Sequence, residues 1–503
     1  MPGARRDSRS LACLLLIAAS CAFSALAILR DPLVSEAGIL QLVMAETIRA
    51  RGLEAALAIS PWPAYALLLS GTQWLTGLSM LASAHLLDTA LLALLALGFA
   101  RLLELLGTEH RFYWWGALVL LLFPPLNGFR SQVVAEAGFW AFLVLSLVPL
   151  ARYLLTRRWQ HAIAFAGLNA VAGAFRPEAF VFGAILPLAC FARGVEAPRF
   201  EAAVRLYAVL AAFALLPLLA ASRLGLLGTV GDGLFAAIEG VARDVGAGFG
   251  SAAATFGTQV LGESSRALAG VALAVALATV LLLQALLTLG PVHAGVLGWA
   301  ALSRRALVPE GGRGLQGALM LGALVVAGLS LARDQSVGTR ELLPLAIALL
   351  LPCAFAAREL RLAAGRTRRP LLARAGVAAL VLALLAQGFA NPGGRRNYLL
   401  ESIAWMQQTL PAGSVVFSND RLLAWYSSGR FDWASIAAGE QRLLAGTAPL
   451  DGVDYWLLHL DDSDPLLTAA LAGYGERLEA VAAFGTPPGR RVVVLRTVPA
   501  ERR

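Results

Sequence analysis

The sequence predicts a polytopic α-helical membrane protein that carries a soluble α/β domain at its C-terminal end. The 503-residue chain is 58% hydrophobic and only 15% charged, a more apolar balance than soluble domains have. Its apolar runs are too long for barrel strands, and helices satisfy every backbone hydrogen bond internally, so the runs are predicted to be transmembrane helices. After Ala390 the composition becomes that of an ordinary soluble domain.

The first apolar run, Leu11–Leu29, follows Arg5, Arg6 and Arg9. This arrangement also fits a secretory signal that is cleaved after Ala25-Leu26-Ala27. The run is long for a signal core and many apolar runs follow it, which favours an uncleaved first span.

Further apolar runs bring the prediction to about eleven transmembrane helices. These runs are Met80–Leu103, Phe112–Leu126, Val133–Leu155, His161–Phe175, Ala179–Phe191, Val204–Ser222, Leu268–Leu302, Leu315–Leu331, Leu342–Ala357 and Leu371–Ala390. Leu268–Leu302 is long for one crossing. It is either an interfacial helix leading into a span or a double crossing, and a double crossing would reverse the sidedness downstream.

Arginine clusters predict the orientation. They collect on one set of connections, which the positive-inside rule places in the cytoplasm. These clusters are Arg101 and Arg111; Arg152, Arg157 and Arg158; Arg193, Arg199 and Arg205; Arg304, Arg305 and Arg313; and Arg358, Arg361, Arg366, Arg368, Arg369 and Arg374. The N-terminus is then inside and residues 391–503 are periplasmic, at a bacterial inner membrane. Such clusters account for the net charge of +9 without nucleic-acid binding.

All four cysteines lie in apolar runs, which indicates neither a disulfide framework nor a zinc site.

Two predicted outer segments are long. Arg30–Pro61 has apolar residues at helical spacing and is predicted to form helices on the membrane surface, a layer that Trp62–Leu78 continues. Arg223–Arg266 is rich in glycine and alanine and is interpreted as a mobile substrate flap.

The chain divides into a membrane domain, residues 1–390, and a periplasmic α/β domain, residues 391–503, joined by the linker Asn391–Arg396. The second domain is predicted from its alternation of strand and helix patterns. Its predicted strands are Ser414–Ser418, Tyr455–Leu460 and Arg491–Val498, and its predicted helices are Leu399–Thr409 and Pro465–Tyr474.

Ionisable groups near the hydrocarbon are the best guide to function, because each is costly unless it is paired or hydrated. The groups that stand out all fall on the predicted outer side, where they are expected to meet in one cavity. They are Glu36; Glu136; Arg176 and Glu178, which flank Pro177; Arg333 and Asp334; Arg340 and Glu341; and His85 and Asp88. The alternative is that each caps a helix or pairs locally, which is the simpler interpretation for His85 and Asp88.

Several motifs occur in order along the chain: Glu36 in the first outer loop, Pro61–Leu69, Phe123–Pro125 followed by Glu136, Arg176–Glu178, and Arg340–Pro344. Together with the C-terminal domain, they make the chain resemble the GT-C superfamily of membrane glycosyltransferases, in particular the protein mannosyltransferase and lipid A aminoarabinose transferase branch (glycosyltransferase family 39-like). The family's arginine-aromatic-leucine-proline signature is similar to Arg340–Pro344, with Glu341 in place of the aromatic residue. His85 falls where an arginine is common.

The resemblance implies an inverting glycosyltransferase that moves a hexosyl or pentosyl group from a polyprenyl-phosphate donor to a lipid, glycan or protein acceptor. Carboxylates suit deprotonation of the acceptor, and arginine forks suit the departing phosphate. We therefore expect Glu36 to be the general base and Glu136 to orient the acceptor or support the base. Arg176, Arg333 and Arg340 are expected to hold the phosphate, with Glu178, Asp334 and His85 also in the binding site.

Other interpretations stay open. A transporter or flippase of lipid-linked sugars would also need a polar cavity, together with broken helices, and a non-catalytic envelope-assembly relative would keep the fold. Some relatives use a divalent metal, and carboxylates here offer oxygen ligands, although no spacing demands one. Those carboxylates are Asp31, Glu36, Glu136 and Asp334. In the C-terminal domain, His459 with Asp461, Asp462 and Asp464 is interpreted as a solvated strand end.

Overall fold

The computed structural model has two compact units. One contains Met1–Pro32 and Gln41–Ala390, and the other contains Leu33–Leu40 and Asn391–Arg503. The structure describes residues 2–107, 109–192, 199–223, 227–303, 308–365, 370–389, 397–411, 413–427, 438–461, 471, 473–474, 477–485 and 489–498.

The first unit is built from helices. In chain order they are α1 (Pro2–Arg30), α2 (Glu36–Arg51), α3 (Leu53–Leu57), α4 (Ala64–Thr76), α5 (Met80–Gly107), α6 (Arg111–Leu121), α7 (Pro124–Gly128), α8 (Glu136–Thr156), α9 (Trp159–Phe175), α10 (Glu178–Ile185), α11 (Arg199–Arg223), α12 (Leu227–Gln259), α13 (Ala269–Leu302), α14 (Glu310–Asp334), α15 (Thr339–Gly365) and α16 (Pro370–Phe389). Short 3₁₀ helices cover Leu186–Phe191 and Glu263–Leu268.

Six helices in the described part of the chain are long and apolar enough to cross a membrane, which confirms the predicted fold class. They are Arg9–Arg30, Met80–Gly107, Glu136–Thr156, Glu263–Leu302, Glu310–Asp334 and Thr339–Gly365. The other predicted spans also contain helices, but several are short. For example, α9 has 17 residues and α10 has eight before a 3₁₀ turn.

The predicted span Phe112–Leu126 is interrupted. Helix α6 ends at Leu121 and α7 begins at Pro124, with Phe123 between them in an extended conformation. A residue before proline is disfavoured in the helical region, so Pro124 explains the break.

The long run Leu268–Leu302 forms one helix, α13, with a kink. Gly290 has φ 77° and ψ 159°, and Pro291 follows it. Glycine tolerates this conformation, and proline cannot donate the hydrogen bond that would continue the first half.

The predicted surface layer is helical. Helices α2, α3 and α4 occupy it, and Arg49 on α2 bonds the side chain of Gln73 on α4. Trp74 and Leu75, near the end of α4, are almost fully exposed, which suits a helix that meets a membrane interface.

Most of the predicted flap is the single helix α12. Gly248 lies close to the end of α14, where a Cβ would be 2.5 Å from the Arg333 carbonyl oxygen. The Gln335 side chain also donates to the Gly248 carbonyl at 2.9 Å. This part of the segment is therefore packed helix.

The second unit contains a four-stranded sheet, which follows α17 (Asn397–Thr409). The strands are β1 (Val416–Ser418), β2 (Tyr455–Asp461), β3 (Leu478–Phe484) and β4 (Arg490–Thr497). Their order is β1-β2-β4-β3, with β1 parallel to β2 and the other pairs antiparallel. Between β1 and β2 lie α18 (Arg421–Tyr426) and α19 (Gly439–Leu444).

Phe417 and Trp456 lie at the centre of this unit's apolar core. Strands β1, β2 and β4 coincide with predicted strands, whereas β3 was not predicted. Its sequence has three alanines and a glutamate among seven residues, which is poor in strand formers. Most of the predicted helix Pro465–Tyr474 lies outside the described residues.

Candidate active site

Glu136 is the first residue of α8 and is buried, with 6% of its surface exposed. The turn before it holds Val133 at φ 52°, a left-handed conformation that strains a β-branched residue. The next amide, of Val134, donates to Asp88 Oδ2 at 2.9 Å. This turn places a carboxylate at a helix N-terminus, where negative charge is stabilised.

Arg176 lies beside Glu136. It ends α9 in an extended conformation, as the following Pro177 requires. Its Nη1 is 3.5 Å from Glu136 Oε1, and its Nη2 donates to Glu178 Oε1 at 2.8 Å. Burial acts to lower the pKa of Arg176, but the carboxylates of Glu178, Glu136 and Glu341 outweigh it and raise the pKa. The guanidinium is therefore charged at all physiological pH values.

A close helix contact positions Arg176. Gly138 lies two residues after Glu136, and a Cβ at Gly138 would be 2.2 Å from the ring of Phe175. Only glycine leaves room for this ring. Because Phe175 directly precedes Arg176, the packing of its ring against α8 fixes the position of the Arg176 backbone, from which the guanidinium extends.

Arg340 approaches Glu136 from a third helix. It is the second residue of α15, and its Nη1 is 3.9 Å from Glu136 Oε1. One buried carboxylate oxygen is thus within 4 Å of two guanidinium groups. The structure therefore brings together Glu136, Arg176, Glu178 and Arg340.

Beside Arg340 is a polar cavity of about 490 Å³. Hydroxyl, amide and charged side chains line it, with one aromatic ring. The lining residues are Phe129, Gln132, Ser330, Asp334, Ser336, Gly338, Thr339, Arg340 and Glu341. Such a surface can hydrogen-bond a ligand that has several hydroxyl groups.

Arg333 and Asp334, at the end of α14, bond each other. Nε and Nη2 of Arg333 donate to the two oxygens of Asp334 at 2.8 and 2.7 Å. Asp334 lines the cavity, so this pair contributes a carboxylate to the wall, and the fork of Arg333 is bound to that carboxylate.

His85 and Asp88 differ in their surroundings. Asp88 is fully buried and accepts hydrogen bonds from the Tyr65 hydroxyl at 2.6 Å and from Val134. Burial and the carboxylate of Asp88 raise the pKa of Tyr65 well above its usual value, so the phenol stays a neutral donor. Asp88 therefore anchors the turn before Glu136. His85 is half-buried, and its Nδ1 has no hydrogen-bond partner among the described residues.

Glu36 belongs to the other compact unit. It is the first residue of α2, directly after Ser35, whose Oγ accepts from the Gly38 amide at 3.2 Å. This is the geometry of an N-cap, and the helix N-terminus stabilises the charge of the Glu36 carboxylate.

Arg130 was not predicted as a site residue, and it is buried with 1% of its surface exposed. Its guanidinium donates to Asn127 Oδ1 and, on α1, to Ser20 and Ser24. Burial lowers the pKa of Arg130 to about 10, so it remains charged at neutral pH. Its signal was an arginine on the predicted outer side, where the positive-inside rule expects few.

Among the described residues, no three His, Cys, Asp or Glu side chains lie close enough together to hold a metal ion. In the C-terminal unit, His459 Nδ1 lies 2.7 Å from Asp420 Oδ2 and its Nε2 lies 3.0 Å from the Tyr398 hydroxyl. Asp461 pairs with Arg490 at 3.3 Å, and Asp462 and Asp464 lie outside the described residues.

No family model matches the chain. No curated protein matches it by sequence. Solved structures do match its fold. ArnT from Cupriavidus metallidurans in the apo state, a GT-C membrane glycosyltransferase, aligns with a TM-score of 0.50 and 13% identity over 96% of this chain and 97% of that one.

Two structures of an archaeal oligosaccharyltransferase from Archaeoglobus fulgidus also align. One is in complex with an inhibitory peptide and a dolichol-phosphate, at TM-score 0.47 and 12% identity over 96% of this chain and 74% of that one. The other is tethered to an acceptor peptide, at TM-score 0.48 and 12% identity over the same shares.

The likeness to ArnT covers almost the whole of both chains. It includes the apolar helices as well as the C-terminal sheet unit. The chain therefore shares its fold with ArnT, as the resemblance to the GT-C superfamily predicted.

Proposed function

We propose that the protein is a membrane glycosyltransferase that takes a sugar from a polyprenyl-phosphate donor. The acceptor is a lipid, glycan or protein on the outer side of a bacterial cytoplasmic membrane. One observation carries the proposal: the buried carboxylate of Glu136 lies within 4 Å of Arg176 and Arg340, beside a polar cavity. The GT-C fold supports this class of reaction.

The arginines are assigned to the phosphate of the donor. Arg340 lines the cavity, and its contact with Glu136 is long, at 3.9 Å, so other N–H groups of its guanidinium can donate to a phosphate oxygen. Arg176 is held more firmly, by Glu136 and Glu178. Glu136 keeps both guanidinium groups in place before the donor arrives, which is the preorganisation that stabilises a charged leaving group.

In the proposed reaction, an acceptor oxygen or nitrogen attacks the anomeric carbon of the sugar. Its proton passes to a carboxylate, for which Glu36 remains the sequence-based assignment. The bond from the anomeric carbon to the phosphate oxygen breaks, and its electron pair leaves with the polyprenyl phosphate. A single displacement of this kind inverts the configuration of the sugar.

The other predicted site residues take supporting roles in this proposal. Asp334 offers a carboxylate to the sugar hydroxyls, and Arg333 orients it. Glu178 orients Arg176. His85 remains a prediction as a binding residue.

Replacement of Arg340 tests the assignment. We expect Arg340→Gln to lower the rate of transfer by about 100-fold or more, because a charged donor to the leaving group is lost. The control is Arg313→Gln near the start of α14, where Arg313 makes a long ion pair with Glu310 at 3.8 Å and donates to the Val308 carbonyl at 3.1 Å.

The measurement is release of polyprenyl phosphate by purified protein in nanodiscs, from a panel of polyprenyl-phosphate sugars with envelope extract as acceptor. If Arg340→Gln and Arg313→Gln both kept the wild-type rate, the phosphate assignment would be wrong.

Transport of lipid-linked sugars is a second candidate, favoured by the kink in α13. A transporter is expected to have broken helices near the middle of the membrane, and α13 breaks at Gly290 next to the buried His293. Proteoliposomes that carry labelled donor in one leaflet separate the two functions. Movement of intact donor without cleavage would favour transport.

A further inference from the structure

The segment that carries Glu36 packs as part of the C-terminal unit. Leu33–Leu40 groups with residues 391–503, and Leu33, Val34 and Ile39 are all buried. The Val34 amide donates to the hydroxyl of Tyr426 at 3.3 Å, across 392 positions of sequence. A residue far down the chain therefore holds the backbone two positions before Glu36.

Tyr426 is itself firmly placed. It is the last residue of α18, and the Asp420 side chain caps the start of that helix by accepting from the amides of Leu422 and Leu423. The side chain of Gln407 on α17 donates to the Tyr426 carbonyl at 3.4 Å. The start of α18 is thus capped, and its last residue is bonded to α17.

The hydrogen bond at Val34 is linked to Glu36 through a short non-helical stretch. Residues 31–35 are not helical, and α2 begins at Glu36, with Ser35 as its cap. A hydrogen bond at Val34 therefore acts on the last residues before the helix start. Freed from it, this stretch has many more backbone conformations, and the first carboxylate of α2 would move with it.

We propose that Tyr426 is a positioning residue that holds the Glu36 segment through the Val34 amide. The proposal rests on the proposed function, in which Glu36 is the general base. A base that is displaced by about 1 Å loses much of its effect on the rate, up to about 100-fold. The C-terminal unit then contributes to catalysis by setting the place of the base.

Tyr426→Phe is the direct test, since it removes the hydroxyl and keeps the ring. We expect kcat to fall by about 5–20-fold while KM for the donor stays within about two-fold, because the base is displaced and the donor site is untouched. The matched control is Tyr474→Phe, whose hydroxyl also accepts from a backbone amide in this unit, that of Ala448 at 3.0 Å. The control is expected to keep wild-type kcat.

Amide hydrogen exchange supplies a readout that does not depend on activity. In the purified full-length protein, exchange in residues 33–40 is expected to accelerate in Tyr426→Phe and to stay at the wild-type rate in Tyr474→Phe. Unchanged exchange in Tyr426→Phe, or an equal loss of kcat in both variants, would overturn the positioning role.

Glu36→Gln separates the two proposals. If it is inactive while Tyr426→Phe behaves like the control, the base assignment stands and the positioning role fails. If Glu36→Gln keeps wild-type transfer, the base assignment itself fails. Faster exchange in Tyr426→Phe would then show a tie that holds the segment without serving catalysis, which overturns the positioning role as proposed.

Discussion

Buried charges near the predicted outer side are compensated in different ways at the residue scale. Glu136 has two guanidinium groups within 4 Å, whereas Asp88 is satisfied by a phenol and a backbone amide. Arg130 is held by neutral oxygens of serine and asparagine side chains and of the α1 backbone. Of these three residues, Glu136 is the one whose described partners are charged. Arg176 and Arg340 are therefore suited to bind a donor phosphate in addition to, or in place of, the Glu136 carboxylate.

The role of Asp88 predicts a contrast between two substitutions. Asp88→Ala leaves the Tyr65 hydroxyl and the Val134 amide without an acceptor, which should cost about 1–3 kcal/mol for each buried donor. Asp88→Asn should cost much less, because its oxygen can accept from Val134 while its amide donates to Tyr65, whose hydroxyl works in both directions.

Thermal unfolding of the purified variants in one detergent measures this difference. The control is Ser146→Ala, which removes a buried hydroxyl whose bond stays within α8. Equal unfolding temperatures for Asp88→Ala and Asp88→Asn would show that the acceptor role of Asp88 is not what holds the turn before Glu136.

At the element scale, the site depends on how closely α8 and α9 approach. Phe175 occupies the space above Gly138. A charged residue of the site lies close to each of them in sequence: Arg176 directly after Phe175, and Glu136 two residues before Gly138. Interior packing leaves no slack at such a contact, so a small change is transmitted to the ion pair.

Gly138→Ala tests this contact. Its methyl group would meet the Phe175 ring at 2.2 Å, so the ring must move and carry Arg176 away from Glu136. We expect at least a ten-fold loss of transfer activity, by analogy with the sensitivity of reactions to misplacement of about 1 Å. Initial rates in nanodiscs measure it.

Gly328→Ala is the matched control, because a Cβ at that position of α14 meets no atom within 4 Å. It should keep full activity and gain a little stability from the better helix propensity of alanine. Normal activity in Gly138→Ala would mean that the glycine contact does not set the position of Arg176.

Sequence patterns predicted the elements better than their connections. The long apolar runs predicted α5, α8, α14 and α15, since hydropathy is a local property. Strand β3 was missed because Leu478–Phe484 is rich in alanine and gains its pairing from β4. The helix in the predicted flap was obscured by its glycines.

The site was predictable in part. Glu136, Arg176 and Arg340 were recognisable as charges at the ends of apolar runs, where each is costly unless compensated. Contacts across long sequence distances left no such mark. Neither the hydrogen bond from the Val34 amide to the Tyr426 hydroxyl nor the packing of Phe175 against Gly138 follows from a local pattern.

At the scale of the whole molecule, the apolar surface explains why the chain belongs in a membrane. In the most apolar 18-residue stretch of each helical segment, only 22% is buried for Arg9–Arg30 and only 17% for Glu263–Leu302. Such exposed faces would promote aggregation in water and are suited to lipid. The helices thus form a multi-pass membrane scaffold, and the second unit adds a sheet with its own apolar core.

In the proposed function, this scaffold presents a phosphate-linked sugar to the site formed by Glu136, Arg176 and Arg340. The most direct measurement is single-turnover transfer from a labelled polyprenyl-phosphate sugar by the purified protein, with the product's anomeric configuration read by NMR. We expect one inverted glycoside and one polyprenyl phosphate per turnover, both formed more slowly by about 100-fold or more in Arg340→Gln. Cleavage with retained configuration, or an unaltered rate in Arg340→Gln, would contradict it.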